Sequence, residues 1–414
     1  MSKELVDSGI DWLGEIPRDW KLERIGNIFE QRNEKVSDYD YKPLSVTKKG
    51  VVKQLETAAK SNDHTNRKKV GVNDFVINSR SDRKMSSGVS PLEGSVSLIN
   101  IVLHGDEKRI TPSFTKYLLK NYGFAEEFYR WGTGIVEDLW STNFSRMKKI
   151  LIPIPGTYEQ QIIANFLDGK TAKIDSIVES TKLSIEELYK YKQSLITEAV
   201  TKGVNRNVKL KDSGIKFINE VPFNWSVVPF KRVATVKSNL VNPKNYKDFL
   251  QVSPESIEKN TGKLLECKTV EETGIESNNH RFFKGQIIYS KIRPKLNKVT
   301  IAPFDGLCSA DMYPIETTIN STFLMYYMLS NVFVEQSTLN NNRVKMPKIN
   351  KEELGRIYTV IPSAEEQKQI VEYLDEQCNH INKIIGSKEQ LILEMENYKK
   401  SLIYEYVTGK KEVM

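Results

Sequence analysis

The chain has 414 residues, 39% hydrophobic and 28% charged, which allows two or three soluble globular domains, and no apolar run approaches the ~18 residues of a membrane-spanning helix. Its 61 basic residues exceed its 53 acidic ones by a net +8, a bias that permits nucleic-acid binding without requiring it. The three cysteines, Cys267, Cys308 and Cys378, have neither metal-ligand spacing nor a disulfide framework, and the N-terminal stretch lacks the apolar region of a secretion signal, so a reducing, cytoplasmic location is expected.

The first element is a phrase, DSGIDWLGEIPRDW, at Asp7–Trp20. A mixed region follows from Leu22 to Pro155. It holds β-like runs at Asp74–Ser79 and Gly94–Leu103 and a helical pattern at Ser113–Tyr129. Basic residues flank these runs: Lys68 and Lys69, then Arg80, Arg83 and Lys84, and finally Arg146 and Lys148. Glu159–Val200 contains no proline and reads as one long helix that can begin after Pro155. Leu167, Ile174, Leu188 and Leu195 recur at heptad spacing with Thr181 in register, and Ile177 and Tyr191 mark a second stripe. Such stripes, flanked by Glu and Lys, predict a coiled coil. About 42 residues at 1.5 Å each would span ~63 Å.

After a short linker at Thr201–Lys211 the opening phrase returns as DSGIKFINEVPFNW at Asp212–Trp225, offset by 212 − 7 = 205. The second mixed region, Val227–Pro362, has β-like runs at Gln286–Lys291 and Lys298–Pro303 and a helical pattern at Thr322–Gln336. Pro91, Gly94 and Ser97 recur as Pro303, Gly306 and Ser309, offset by 303 − 91 = 212. Its basic stretch carries Lys291, Arg293, Lys295 and Lys298, and a later stretch offers Asn340, Asn341, Asn342, Arg343 and Lys345. A second long helix then repeats the stripe with Leu374, Ile381, Met395 and Leu402, beside Ile384, Leu391 and Tyr398, offset by 374 − 167 = 207.

Two copies of one order of parts indicate tandem duplication and pseudo-two-fold symmetry. The expected fold class is α/β (α+β): two mixed heads in tandem, separated by an antiparallel two-helix coiled-coil spacer. The expected boundaries are residues 1–155 for the first head, 156–204 for the first helix, 205–362 for the second head and 363–410 for the second helix. Antiparallel pairing follows from the short linker, since parallel helices would force the chain to retrace the whole rod. The expected shape is a dumbbell with Met1 near Met414. Each repeated phrase is expected to dock its head on the end of a long helix, with Trp20 and Trp225 as buried anchors entered through Pro17 and Pro222.

Lys and Arg neutralise phosphates, and Arg and Asn can make paired hydrogen bonds to guanine and adenine edges. Basic residues after corresponding strands in both heads therefore point to DNA, with Asn340, Asn341, Asn342 and Arg343 in an edge-reading loop. Catalytic motifs are missing. There is no Gly-rich phosphate loop ending in Lys-Ser/Thr. WGTGIV at Trp131 lacks the third glycine of a dinucleotide fingerprint, and NPKN at Asn242 lacks the second proline and aromatic of an amino-methyltransferase motif. A nuclease triad forced from Asp248, Glu266 and Lys268 has no counterpart in the first half. The four histidines, at positions 64, 104, 280 and 380, are scattered, so no metal site is expected.

The two phrases, the IP…EQ…I…LD start of each long helix, the YKQSLITEAVTKG end from Tyr191 and the head motif KGQIIYSKIRP resemble the specificity subunit of type I restriction–modification systems. The resemblance covers nearly the whole chain. The first head departs from it at Asn73, where the second has Gly285, and in lacking a proline after Arg80. It implies target-recognition heads, each reading half of a split double-stranded DNA site, and a helical spacer that sets the gap. It also implies a non-catalytic chain with two methyltransferase and two motor-nuclease partners. S-adenosylmethionine, ATP and Mg would belong to those partners, with none bound here. A coiled-coil scaffold with protein-binding heads is the competing class. A self-sufficient nuclease or methyltransferase is the third, and the missing motifs argue against it.

Overall fold

A computed structural model describes residues 3–57, 64–134, 140–339 and 347–413. The chain divides into two compact units, one of Met1–Thr181 with Gln390–Met414 and the other of Lys182–Glu389. The division falls within both long helices, so each unit holds a head and a segment of each helix.

The two units repeat one sequence of elements. Each opens with an antiparallel hairpin, Leu5–Asp7 with Glu15–Pro17 and Leu210–Asp212 with Glu220–Pro222. The phrase encodes the turn. Asp7 and Asp212 each accept the N–H of the residue two further on, Gly9 and Gly214. Those glycines sit at φ +65° and +72°, where a β-carbon would be strained.

Each head then builds a four-stranded antiparallel sheet around a central pair, Phe75–Asn78 with Asn100–Gly105 in the first and Ile287–Ser290 with Met312–Thr317 in the second. A second small sheet differs between the heads. It has three strands in the first, ordered Gly94–Val96, Arg67–Val70, Lys35–Val36. It has five in the second, because Leu250–Val252 adds in parallel to Gly306–Cys308 and Lys268–Thr269 pairs antiparallel on its far side. The single helical pattern expected in each head is two helices, Pro112–Leu118 and Tyr122–Arg130, and Ser321–Leu329 and Asn331–Thr338. Asn121 and Ser330 divide them, because each side chain caps a new helix N-terminus.

The long helices are Thr157–Lys202, 46 residues, and Ala364–Val407, 44 residues. In the first unit the Phe166 ring packs at a tilt on Tyr406 with centroids 4.6 Å apart and Lys399 donates to Asp175 at 2.6 Å, so the two segments run in opposite directions. In the second unit Lys192 Nζ donates to Asn382 Oδ1 at 2.9 Å. Lys192 and Lys399 are 207 apart, as are Asp175 and Asn382. The same lysine–polar pair is therefore written in both units.

The first expected stripe is present, with Leu167, Ile174, Leu374, Ile381 and Leu402 buried and Leu188, Leu195 and Met395 partly so. The second needs correction. Ile177 is 44% exposed, Tyr191, Leu391 and Tyr398 are exposed, and Ile384 is only half-buried. The buried row lies one residue further on, at Val178 and Lys192 in the first helix and Ile385 in the second, with Thr171 and Cys378 in the same row. Four residues from Ile174 to Val178 complete a turn, whereas three from Ile174 to Ile177 fall short of it.

Paired contacts dock each head onto its helix. The Trp20 indole donates to Glu159 at 3.2 Å and that of Trp225 to Glu366 at 3.0 Å. The next residues, Gln160 and Gln367, each accept a backbone N–H at the start of a head helix, from Thr111 and Asn320, and donate to Pro155 and Pro362. Asp168 accepts from Tyr117 and Asp375 from Tyr326, at 2.5 and 2.6 Å. Burial works against the Asp168 carboxylate, but Lys116 and Tyr117 outweigh it and hold its pKa below the ordinary range.

The hairpins also meet the helix ends. Gly409, at φ +73°, ends the second helix under Trp20, and a β-carbon there would lie 2.4 Å from Pro17. Tyr404 donates to the Trp12 carbonyl at 2.9 Å, and the Lys3 N–H to Glu412. The pairing expected between Met1 and Met414 lies outside the described residues.

Candidate nucleic-acid interface

The basic loops follow the central strand of each four-stranded sheet, and the same backbone pattern pins both. In the first head Ser81 N donates to Trp140 O, Arg80 bridges Ser141, and Thr142 N donates to Ser79 O. In the second, Arg293 N donates to Pro347 O, Ile292 bridges Lys348, and Ile349 N donates to Lys291 O. Thus residues 79–81 lie against 140–142, and 291–293 against 347–349. Asn143 and Asn350 follow, each capping a short helix, Phe144–Met147 and Lys351–Arg356. The signal in the sequence is this pair of asparagines, 350 − 143 = 207 apart, but the strand-like bridges before them leave no side-chain pattern.

The second-head loop is shaped by two non-glycine residues in the left-handed region, Arg293 at φ +50° and Asn297 at φ +43°, flanking the turn Pro294–Leu296. Such residues persist where surrounding structure holds them, and they concentrate at functional sites. The Arg293 and Lys295 side chains are exposed, without a carboxylate partner among the described residues. Lys295 also lines a groove with Glu186, Lys190 and Glu258.

The other candidates divide by what holds them. Lys68 donates to the Asn100 carbonyl at 2.8 Å, and burial lowers its pKa. Lys298 donates to the Pro254 carbonyl at 2.5 Å and Lys291 to that of Ala310 at 2.6 Å. Arg146 donates to the Trp131 carbonyl at 3.1 Å. These four brace the heads. Lys69 lies 4.8 Å from the Tyr41 ring and 3.3 Å from Glu34, and hydrogen bonds to both raise its pKa. Arg80 and Arg83 share Asp82, at 3.2 and 3.6 Å, and Lys84 pairs with Glu126 at 3.1 Å. Lys148 is exposed. Asn340, Asn341, Asn342, Arg343 and Lys345 lie outside the described residues.

Among the described residues no cluster of His, Cys, Asp and Glu could hold a metal ion, and no helix is long and apolar enough to cross a membrane. His380 is exposed on its helix. Immediately before the central strand, where the first head has Asp74, the second head has Gln286. Buried Asp74 accepts from Arg32 at 2.7 Å and faces His104 at 3.0 Å, whereas Gln286 donates to Glu316, which pairs with Lys237. The same tie is kept with its charges redistributed.

The family model for the type I restriction modification DNA specificity domain matches residues 222–394. The chain is 35% identical over 279 residues to the type I restriction enzyme EcoDI specificity subunit of Escherichia coli, an alignment covering 63% of this chain and 62% of that protein. It is 23% identical to the putative type I restriction enzyme MjaX specificity subunit of Methanocaldococcus jannaschii, over 97% and 96% of the two chains. Its fold is shared with a chain solved in work on complex assembly and conformational transition of the type I R-M system, with a TM-score of 0.72 at 12% identity over 96% and 99% of the two chains. A crystal structure of the HsdS subunit from Thermoanaerobacter tengcongensis gives a TM-score of 0.51 at 14% identity, covering 96% and 98%. In sequence the chain is similar to specificity subunits of type I restriction–modification systems, spanning less than two thirds of the first of them, and it shares the fold of solved chains from such systems.

Proposed function

We propose that this chain is the non-catalytic DNA-recognition subunit of a cytoplasmic type I restriction–modification complex. Each head reads one half of a split double-stranded DNA site. The observation that carries this reading is the loop pinning that recurs in both heads, at residues 79–81 against 140–142 and 291–293 against 347–349. A duplicated backbone frame carrying different side chains suits two readers of different half-sites, because the frame positions and the side chains specify. The long helices act as a coiled-coil spacer. A helix of 46 residues is ~69 Å long and bounds the unread gap at ~20 base pairs.

Two methyltransferase subunits take S-adenosylmethionine and methylate adenine N6, one in each half-site, and two motor-nuclease subunits supply ATP- and Mg-dependent restriction. The row left exposed on the long helices, Ile177 and Tyr191 on one and Leu391 and Tyr398 on the other, supports helix docking by partner subunits. The test is methyl transfer from labelled S-adenosylmethionine to DNA. Methylation is expected only with the methyltransferase subunit present. Methylation by the pure chain would overturn the non-catalytic reading.

A further inference from the structure

The two docking hairpins have the same backbone and opposite charge. Residues 206–216 carry Arg206, Lys209, Lys211 and Lys216 against Asp212, so 4 − 1 = +3. The matching residues 1–11 carry Lys3 against Glu4, Asp7 and Asp11, so 1 − 3 = −2. The first hairpin uses its charges internally: Lys3 pairs with Asp19 and Glu159, Arg18 with Glu4, and Arg130 with Asp11. Among the described residues none of the four cations of the second hairpin is in an ion pair.

Docking does not need these cations. The anchor on this hairpin is Trp225, which is buried, and a lysine at the helix end, Lys202, already complements the helix dipole. Lys209 and Lys211 instead lie over the Phe223 ring at 5.6 and 5.5 Å. That ring is 62% exposed, so it holds two ammonium groups at the surface on one face of the strand Leu210–Asp212. Arg206 and Lys216 stand exposed in the turns on either side. Fixed, unpaired cations beside an open aromatic face suit a polyanion that crosses the strand.

We propose that this hairpin is a sequence-independent contact to the DNA phosphate backbone, present in the second unit and absent from the first. It rests on the proposed function, because it takes the same duplex as ligand. It adds affinity and orientation without base readout, so the complex approaches its site with a polarity that the repeated fold alone would not give.

The test is binding of the full chain to a duplex across a salt series, followed by methylation mapping with the partner methyltransferase. The variant is R206Q/K209Q/K211Q/K216Q, and a control, K173Q/K182Q/K383Q/K400Q, removes equal charge from exposed helix positions. Each lost phosphate contact lowers the slope of log K against log salt by about 0.9, roughly eightfold in affinity at 0.1 M salt. The hairpin variant is expected to lose two or more such contacts, the control none, and both to keep the methylated sequence. An unchanged slope, or an equal loss in the control, overturns the inference. A hairpin variant that keeps its slope but no longer co-purifies with the methyltransferase also overturns it and makes the surface a protein contact. Failure of the unmutated chain to bind any duplex, alone or with its partner, overturns the proposed function itself.

Discussion

The Trp225 indole donates to the Glu366 carboxylate at 3.0 Å across 141 residues of sequence. Burial works to raise the Glu366 pKa, but the Trp225 and Ser363 donors outweigh it and lower it. Trp20 and Glu159 repeat the contact at 3.2 Å. These pairs explain why a Trp ends the repeated phrase and a Glu-Gln pair opens each helix.

Trp225→Phe keeps most of the buried ring and removes the donor, so it should cost ~1–2 kcal/mol, whereas Trp225→Ala should cost ~3–5 kcal/mol. Denaturant unfolding measures both. The Trp20 variants should follow the same order, and equal losses for Phe and Ala would show that the hydrogen bond dominates.

The corrected helix register gives a sharp contrast between neighbours. Ile177→Gln should change stability by no more than ~0.5 kcal/mol, while Val178→Asn should cost ~2 kcal/mol or more by burying an amide. Thermal unfolding of the two variants decides it, and the reverse order would restore the stripe read from the sequence.

Lys120 provides a pH signature. Burial, with Lys399 and Lys116 nearby, pushes its pKa down to about 8. The unfolded chain therefore binds more protons than the folded one between pH ~8 and ~10.5, and the stability contribution of this group rises with pH across that window. Its cost is fully present below pH ~8. Lys120→Met should stabilise the chain at neutral pH by ~1 kcal/mol, a fraction of the full linkage value because solvent reaches the side chain. The advantage should shrink toward zero as pH rises to ~10.5. An advantage constant with pH would mean the methionine acts by packing alone.

The basic loops separate into cations that can meet phosphates and cations that brace the heads. Arg293→Gln with Lys295→Gln should lower the salt slope of DNA binding by about 0.9 per lost contact. Lys68→Gln with Lys298→Gln should leave that slope unchanged and cost ~1 kcal/mol for each lost hydrogen bond. Salt-dependent binding and denaturation, run on both pairs, test the division.

The long helices and the burial of Trp20 and Trp225 were legible because they rest on periodicity and on recurring side chains. The second helix stripe was not. Its buried row includes Thr171 and Lys192, polar residues that a search for apolar spacing passes over, while apolar Ile177 and Leu391 lie at the surface. The basic clusters were visible as charge, but the sequence could not tell that Lys68 turns inward to a carbonyl while Lys295 stays free. The pinned loops were hidden for another reason. Their bonds join backbone groups, and the frame survives between Arg80 and Ile292 or Ser141 and Lys348, pairs with no chemistry in common.

The most direct test of the two-reader account is single-molecule mapping of N6-methyladenine on host DNA after co-expression with the partner methyltransferase. One split motif is expected, with one methylated adenine in each half on opposite strands and an unread gap of constant length. A contiguous motif, or no methylation despite a stable complex, would contradict it.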